Sequence, residues 1–276
     1  MSKKPINIAI IGLGFGAEFI PIYQKHPLAN MYAICQRNQE KAEEIGKAFG
    51  IEKVYTDYDE LLKDPNIDAV HINTPIQNHA EQSIKALKAG KHVICEKPLA
   101  LSLAQADELL QLARAGDRLC IANLMQRYNP LFEAVRQLID SKVIGECLHG
   151  WFDNAAGDEG LSAEHWFWDR SKSGGIFIEH GVHFFDLFEG WLGKGEVVSS
   201  QRTLRPSSGI EEQVQCVVRY GNGALINFYH GFTQPARLER QEFRLLFEHG
   251  ELTLEEWVPT RVRLRAVVDE EQSRSL

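Results

Sequence analysis

The sequence has few cysteines and no long hydrophobic run. The five cysteines are odd in number and never form a C-x-x-C pair; they are Cys35, Cys95, Cys120, Cys147 and Cys216. This usage predicts reduced thiols, no disulfide framework and no thiolate zinc site. The first apolar run, INIAIIGLG, is too short and too rich in glycine for a signal or membrane segment. We therefore expect a cytoplasmic protein without a membrane partner.

Positive charge is also scarce. The 276 residues include 30 Lys and Arg against 38 Asp and Glu, which gives a net charge of −8. The basic residues are scattered, so nucleic acid is not an expected partner. A hydrophobic content of 44% and a charged content of 25% are typical of a globular protein with one large domain or two smaller ones.

In the first part of the chain, short apolar runs alternate with amphipathic stretches. The runs predict buried strands at 6–11, 31–35, 68–73, 91–95 and 118–123, and the stretches predict helices at 38–50, 77–90 and 102–116. Each predicted helix ends on a glycine, as helices often do. The alternation predicts an α/β fold in which residues 1–123 form a Rossmann domain with a doubly wound parallel sheet.

The rhythm changes after residue 123. One helix is predicted to follow Asn129 and Pro130, which suit a helix cap and a first turn. Alternating runs separated by glycine-bearing turns then predict strands at 212–220, 223–232, 242–250, 251–257 and 261–268. We expect residues 124–276 to form an α+β domain with a large, mostly antiparallel open sheet.

The segment IAIIGLGFGAEF has the G-x-G-x-x-G/A spacing of a dinucleotide-binding loop, formed by Gly12, Gly14 and Ala17. It follows a predicted strand and opens a predicted helix. The first glycine makes a tight turn, and the second lets the backbone approach a pyrophosphate at the helix N-terminus. We expect this loop, with Phe15, to bind NAD or NADP.

The end of the second predicted strand bears on which dinucleotide is bound. An acidic residue there would hold the ribose hydroxyls of NAD, but this position is occupied by Gln36, followed by Arg37. Arg37 is a candidate for binding the 2′-phosphate of NADP, or it is a solvated loop residue. The sequence leaves NAD and NADP both open.

Four motifs resemble those of the Gfo/Idh/MocA oxidoreductases, the family of glucose–fructose oxidoreductase and inositol dehydrogenase. The first is INTPIQNHAEQSIKALKAGKHVICEKP, and the second, CEKPLA, overlaps its end. MQRYNP and GGIFIEHGVHFFD follow in that order. The resemblance covers roughly residues 5 to 255. It implies hydride transfer between a nicotinamide and a carbinol of a sugar, polyol or related small molecule.

The resemblance also implies site residues. Lys97 and His183 would face the substrate beside the nicotinamide, with Asp186 nearby. Cofactor contacts would come from Asn73, Thr74, Pro75, His79, Glu96 and Gln126. This chain departs from the family in having Glu179 where an aspartate is usual. Family members also usually have a longer second domain, so the sequence leaves open whether the last sheet elements are present.

The stretch GGIFIEHGVHFFD itself allows several interpretations. A metal site is disfavoured because no cysteine lies near it and no H-E-x-x-H pattern is present, so we expect no metal. An ordinary helix start, with a structural role for His180, is a second interpretation. The third is that His183 is the general base, because imidazole titrates near neutrality, with Glu179 orienting it or binding a substrate hydroxyl. Sugar-hydroxyl binding by both histidines is the fourth.

Lys97 gains its expected role from its position. Pro98 favours an extended conformation at Lys97, which aims the side chain from the carboxyl edge of the sheet. Candidate substrate contacts also include aromatic residues that could wall a sugar ring, and their alternative role is core packing. Charged residues are further candidates, and their alternative role is a structural ion pair. The candidates are Tyr128, Trp166, Trp168, Arg127, Arg170 and Asp153.

The family further suggests a homodimer or homotetramer formed through the open sheet of the second domain. The apolar segments VQCVV and LINFY are expected to present a surface that association would cover. Two other functions stay open: an NAD-dependent glycosidase of the same fold, and a non-catalytic sensor of dinucleotide and sugar. The sensor is disfavoured because such relatives typically lose the lysine or the histidine.

Overall fold

The computed structural model describes residues 4–275. The chain divides into two compact units between Asn123 and Leu124. Among the described residues, no helix is long and apolar enough to cross a membrane.

The first unit contains a six-stranded parallel sheet with the order β3-β2-β1-β4-β5-β6. Its strands are β1 Ile6–Ile11, β2 Ala29–Cys35, β3 Lys53–Tyr55, β4 Ala69–Ile72, β5 His92–Cys95 and β6 Cys120–Ala122. Its α-helices are α1 Ile20–Lys25, α2 Gln39–Phe49, α3 Tyr58–Leu62, α4 His79–Lys88 and α5 Leu103–Ala115. The sequence did not predict β3, a strand of only three residues.

Side-chain caps set the starts of two predicted helices. Asn38 accepts a hydrogen bond from the Lys41 N–H at α2, and Ser102 accepts one from the Gln105 N–H at α5. At the end of α5, the expected glycine turn differs from the prediction. Gly116 has φ −89° and stays right-handed, and the positive φ of 50° falls on Asp117. An aspartate tolerates this conformation because its short polar side chain can bond locally.

The second unit contains a seven-stranded sheet with the order β13-β12-β11-β7-β10-β9-β8. Its strands are β7 Cys147–Ala156, β8 Gly195–Leu204, β9 Glu211–Tyr220, β10 Leu225–Phe232, β11 Arg240–Phe247, β12 Gly250–Glu255 and β13 Val262–Ala266. Neighbouring strands are antiparallel except β7 and β10, which are parallel. The α-helices are α6 Pro130–Ser141, α7 Arg170–Ser173, α8 Val182–Leu192 and α9 Glu270–Ser275. The predicted fold class is confirmed.

One face of this sheet forms an aromatic core with α6 and α8. Phe184 of α8 stacks on Phe152 of β7, with ring centroids 3.7 Å apart, and Phe132 of α6 packs against Phe243 of β11. The expectation that VQCVV and LINFY present an apolar surface is wrong for most of their apolar residues. Val214, Cys216, Val218, Ile226 and Phe228 are all buried. The alternation of each strand turns these side chains toward the interior and the polar ones outward.

Candidate active site

The glycine loop after β1 has the geometry of a dinucleotide cradle. Gly12 has φ +85°, and a Cβ built there would lie 2.6 Å from the Asn73 carbonyl oxygen, so only glycine fits. A Cβ built on Gly14 would meet no atom within 4 Å, which leaves that stretch of backbone open to a ligand. The Oδ1 atom of Asn73 is buried and has no hydrogen-bond partner among residues 4–275. The turn at Gly12 and the open backbone at Gly14 fit the pyrophosphate of a dinucleotide, whereas the Asn73 oxygen is an acceptor and fits a hydroxyl or N–H donor instead.

The other predicted cofactor residues of this unit follow the carboxyl ends of the parallel strands. Gln36 follows β2, Asn73 follows β4 and Glu96 follows β5. Such ends meet at one edge of a parallel sheet, where ligands bind in open α/β folds. Arg37 is exposed and Gln36 is half-buried, so the side chain beside β2 that is most accessible to a phosphate is a cation.

His79 ties two of the predicted site loops together. Its Nδ1 lies 2.8 Å from the Pro98 carbonyl oxygen, and its Nε2 lies 2.7 Å from the Thr74 carbonyl oxygen. Burial lowers the pKa of His79, an effect that the two carbonyls partly offset. The structure therefore gives His79 a bracing role between the loop after β4 and the loop after β5.

Glu96 is held as a carboxylate by its neighbours. Burial by itself raises the pKa of Glu96, but the His71 imidazole, whose Nε2 lies 3.8 Å from Glu96 Oε1, and hydrogen bonds from Asn123 and the Lys97 backbone outweigh burial and bring the pKa below its ordinary value. The Asn123 Nδ2 donates to Glu96 Oε1 at 2.6 Å. Lys97 follows directly and is half-buried. The edge of the sheet thus carries a fixed anion next to a cation.

In the second unit, a pair of glycines shapes the segment that carries the predicted base. The segment leaves α7 through Gly174 and Gly175, both with positive φ, and enters a single π-helical turn, Phe177–Gly181, before α8. A Cβ on Gly175 would lie 2.8 Å from Glu211 Oε1. Single π-turns are frequent at functional sites.

Glu211 anchors this turn from β9. The carboxylate is buried and accepts a hydrogen bond from the Ile176 N–H at 3.0 Å. It also forms ion pairs with Arg170 at 3.3 Å and Arg202 at 3.4 Å. Arg170 was predicted to bind substrate, and its ion pair is the alternative that the sequence left open. Sequence reasoning did not single out Glu211, because two of its three partners, Ile176 and Arg170, lie 35 and 41 residues away in the chain.

Replacing Glu211 with alanine is expected to lower the free energy of unfolding by roughly 2 kcal/mol, because a buried N–H and two guanidinium groups lose their acceptor. Glu211→Gln is the matched control, since its amide oxygen can still accept from Ile176. It should retain more than half of the lost stability. Urea unfolding followed by circular dichroism measures both, and an alanine variant as stable as the parent would contradict this role.

An indole brings the two histidines of the motif together. The ring of Trp257 lies 4.6 Å from the His180 ring and 5.8 Å from the His183 ring, measured between centroids. Gln126 Nε2 donates to the Trp257 carbonyl oxygen at 3.4 Å. His183 is buried, whereas His180 and Glu179 are half-buried. Of the predicted site residues in this unit, Gln126 and His183 therefore share one neighbour.

Trp257 was missed from the sequence because it was assigned to a strand end. The aromatic walls that the sequence predicted have other neighbours. Tyr128 is 84% exposed, Trp166 packs against His165 and Phe167, and Trp168 packs against Phe232. Their contact with substrate stays a prediction.

Arg127 and Asp186 form an ion pair with the Arg127 Nε 2.6 Å from Asp186 Oδ2. The hydrogen bond to Asp186 raises the pKa of Arg127 above its ordinary value. The pair joins the turn before α6 to helix α8 in the manner of a structural clamp. Within residues 4–275, no group of three His, Cys, Asp or Glu side chains could hold a metal ion.

Comparison with known proteins follows the same division of the chain. A family model described as "Oxidoreductase family, NAD-binding Rossmann fold" matches residues 6–124, and the GFO/IDH/MocA C-terminal domain matches residues 132–253. A solved structure of levoglucosan dehydrogenase in complex with NADH and L-sorbose has a TM-score of 0.81 at 22% identity, covering 96% of this chain and 80% of that one. At this identity the likeness concerns the fold alone.

Two curated relatives show similar sequences. An uncharacterized oxidoreductase of Synechocystis sp. is 34% identical over 196 residues, which cover 70% of this chain and 53% of the relative. The myo-inositol 2-dehydrogenase of Thermotoga maritima is 28% identical over 229 residues, which cover 80% of this chain and 66% of the relative. The chain therefore spans between half and two thirds of the length of these two relatives.

Proposed function

The chain belongs to the Gfo/Idh/MocA family of oxidoreductases, and we propose that it is an NAD(P)-dependent dehydrogenase acting on a carbinol of a sugar or polyol. The observation that carries the proposal is the open cradle at Gly14 after β1, on the same edge of the parallel sheet as Glu96 and Lys97 after β5. The myo-inositol 2-dehydrogenase relative is named for a polyol, and the levoglucosan dehydrogenase structure contains a sugar.

The proposed roles follow from the chemistry of each side chain. The loop of Gly12 and Gly14 holds the pyrophosphate, and NAD(P), when bound, supplies the hydride acceptor. Lys97 donates a hydrogen bond to the substrate oxygen and favours the negative charge that develops on it. His183 accepts the hydroxyl proton, which must leave as the carbinol is oxidised.

Glu179 and Trp257 complete the proposed site. Glu179 accepts a hydrogen bond from His183 or from a substrate hydroxyl. The indole of Trp257 offers an apolar face to the C–H face of a sugar ring, and the two imidazoles against it supply polar groups.

A substrate screen tests the proposal. The purified protein is mixed with sugars, inositols and sugar derivatives, with NAD and NADP in parallel, and nicotinamide absorbance is followed. Reduction of either dinucleotide by one group of these compounds supports a dehydrogenase. Dinucleotide that survives dialysis without net turnover points instead to the glycosidase alternative.

Cofactor preference is expected to depend on the residues after β2. Gln36→Asp should shift the ratio of NAD to NADP affinity toward NAD by about tenfold, because a carboxylate accepts from the ribose hydroxyls and repels a 2′-phosphate. Arg37→Ala should weaken NADP binding and leave NAD binding unchanged. Fluorescence titration with NADH and NADPH measures both, and unchanged ratios would mean that neither residue contacts the ribose.

We further propose that the chain forms a homodimer or homotetramer through the outer face of the seven-stranded sheet. The proposal is supported by two aromatic residues, because aromatic side chains are enriched at protein interfaces. Trp151 and Tyr229 lie on the paired strands β7 and β10 and are only half-buried. Sedimentation equilibrium tests this, and a monomer at micromolar concentration contradicts it.

A further inference from the structure

His180 is in direct contact with a second imidazole. Its Nδ1 lies 3.1 Å from the Nδ1 of His230, a residue of β10 that lies 50 positions further along the chain. Two ring nitrogens at this distance form a hydrogen bond only if one carries a proton and the other is bare. The direction of this bond therefore determines which nitrogen of His180 is protonated.

His230 has one proton to place. The residue is completely buried, and burial lowers its pKa to about 3, so the ring is neutral. Its Nε2 makes no hydrogen bond with any group among residues 4–275. A buried backbone N–H without an acceptor is rarer than a buried carbonyl without a donor. We therefore expect a buried ring nitrogen without a partner to be bare rather than protonated. This places the proton of His230 on Nδ1.

The neighbouring strand supports the same assignment. Asn154 of β7 is the register partner of His230 and is also completely buried. Residues that are paired across strands point to the same face of a sheet, so both side chains enter the interior together. The Asn154 Nδ2 has no acceptor among the described residues. A bare His230 Nε2 leaves Asn154 Nδ2 as the one orphan donor of this register pair, whereas a protonated Nε2 would add a second buried donor without an acceptor.

His230 Nδ1–H then donates to His180 Nδ1. Because the hydrogen bond at one ring nitrogen decides which tautomer is present, neutral His180 carries its proton on Nε2. His180 presents a donor, so it does not compete with His183 for the role of proton acceptor. Both rings lie against Trp257, and His180 is the more exposed of the two.

We infer that His180 binds the substrate by donating Nε2–H to an oxygen next to the reacting carbinol, and that His230 is a positioning residue that fixes this tautomer. The inference rests on the proposed function, because it assigns a further substrate contact to that same site. The fitting ligands are those with adjacent oxygens, such as vicinal diols and hydroxy acids. A mono-alcohol lacks the acceptor.

The tautomers can be measured without any activity. In protein labelled with ¹⁵N-histidine, long-range proton–nitrogen correlation spectra separate bare from protonated ring nitrogens, and His180→Asn and His230→Asn spectra assign the signals. We expect protonated Nδ1 in His230 and protonated Nε2 in His180 at neutral pH. A proton on His180 Nδ1 or on His230 Nε2 overturns the inference and leaves the proposed dehydrogenase intact.

Kinetics test the substrate contact. His180→Leu should raise KM for a vicinal diol substrate by roughly tenfold, the effect of one hydrogen bond to a ligand, with a smaller change in kcat. His180→Gln, whose amide nitrogen occupies the position of Nε2, should recover most of this loss. His230→Leu should raise KM in the same way, and His230→Asn, whose amide nitrogen occupies the position of Nδ1, should restore it. An unchanged KM in His180→Leu overturns the contact.

Discussion

His183→Ala is expected to lower kcat by about 100-fold or more, because the hydroxyl proton loses its acceptor while the hydride acceptor stays in place. NADH or NADPH affinity should change little, since the cradle residues belong to the first unit. Steady-state kinetics and fluorescence titration separate the two effects. His249→Ala is the matched control, because His249 is exposed in the turn between β11 and β12, and it should keep the parent rate.

The buried position of His183 requires a second variant. His183 is 6% exposed, so alanine leaves a cavity that lowers stability as well as activity. His183→Asn keeps a polar side chain but cannot take a proton near neutrality. It should fold with a melting temperature closer to that of the parent and show the same loss of turnover. A rate near that of the parent in the asparagine variant would refute the role of His183 as base.

Lys97→Ala should lower turnover to a similar degree through the loss of the cation that the substrate oxygen contacts. Lys47→Ala, at an exposed position on α2, provides the control for loss of one positive charge. Lys97→Arg is informative because a planar guanidinium keeps the charge but changes the donor geometry. If Lys97→Ala kept the parent turnover, the assignment of Lys97 to substrate activation would be wrong.

The first unit was largely predictable because its signals are local. A mostly apolar run such as INIAII forms a strand whose last four residues are buried, and Asn38 and Ser102 mark helix starts within three residues of their partners. The second unit contains β7 and β8, which the sequence did not predict. Every residue of β8 after the first is exposed, so this strand lacks the alternation that identifies a half-buried strand.

The candidate site was likewise predictable only where its signals are local. The motifs identified His183 and Lys97, but the contacts around His183 depend on sheet register rather than on spacing. Trp257 lies more than 70 positions from either histidine, and His230 contacts His180 from strand β10, 50 positions further along the chain. Arg127 and Arg170 were candidates for binding substrate, but both form ion pairs within the protein. The residues next to them in the sequence did not distinguish these two roles.

Gly12→Ala is expected to destabilise the first unit by roughly 2–4 kcal/mol, through the strain of a positive φ together with a collision against backbone. The added Cβ would lie 2.6 Å from the Asn73 carbonyl oxygen and 2.9 Å from the Thr74 nitrogen. Neither atom can rotate away, because both belong to the backbone after β4. Dinucleotide binding should be lost with stability, and thermal unfolding and NADH titration report the two losses.

Gly14→Ala separates folding from binding in the same loop. Its Cβ meets no atom within 4 Å, so the free energy of unfolding should change by less than about 0.5 kcal/mol, as for most surface substitutions. The methyl group nevertheless projects where the pyrophosphate must approach the backbone, so dinucleotide affinity should fall by about tenfold or more. Unchanged NADH affinity in a stable Gly14→Ala protein would mean that the loop does not hold a pyrophosphate, whatever role Lys97 and His183 have.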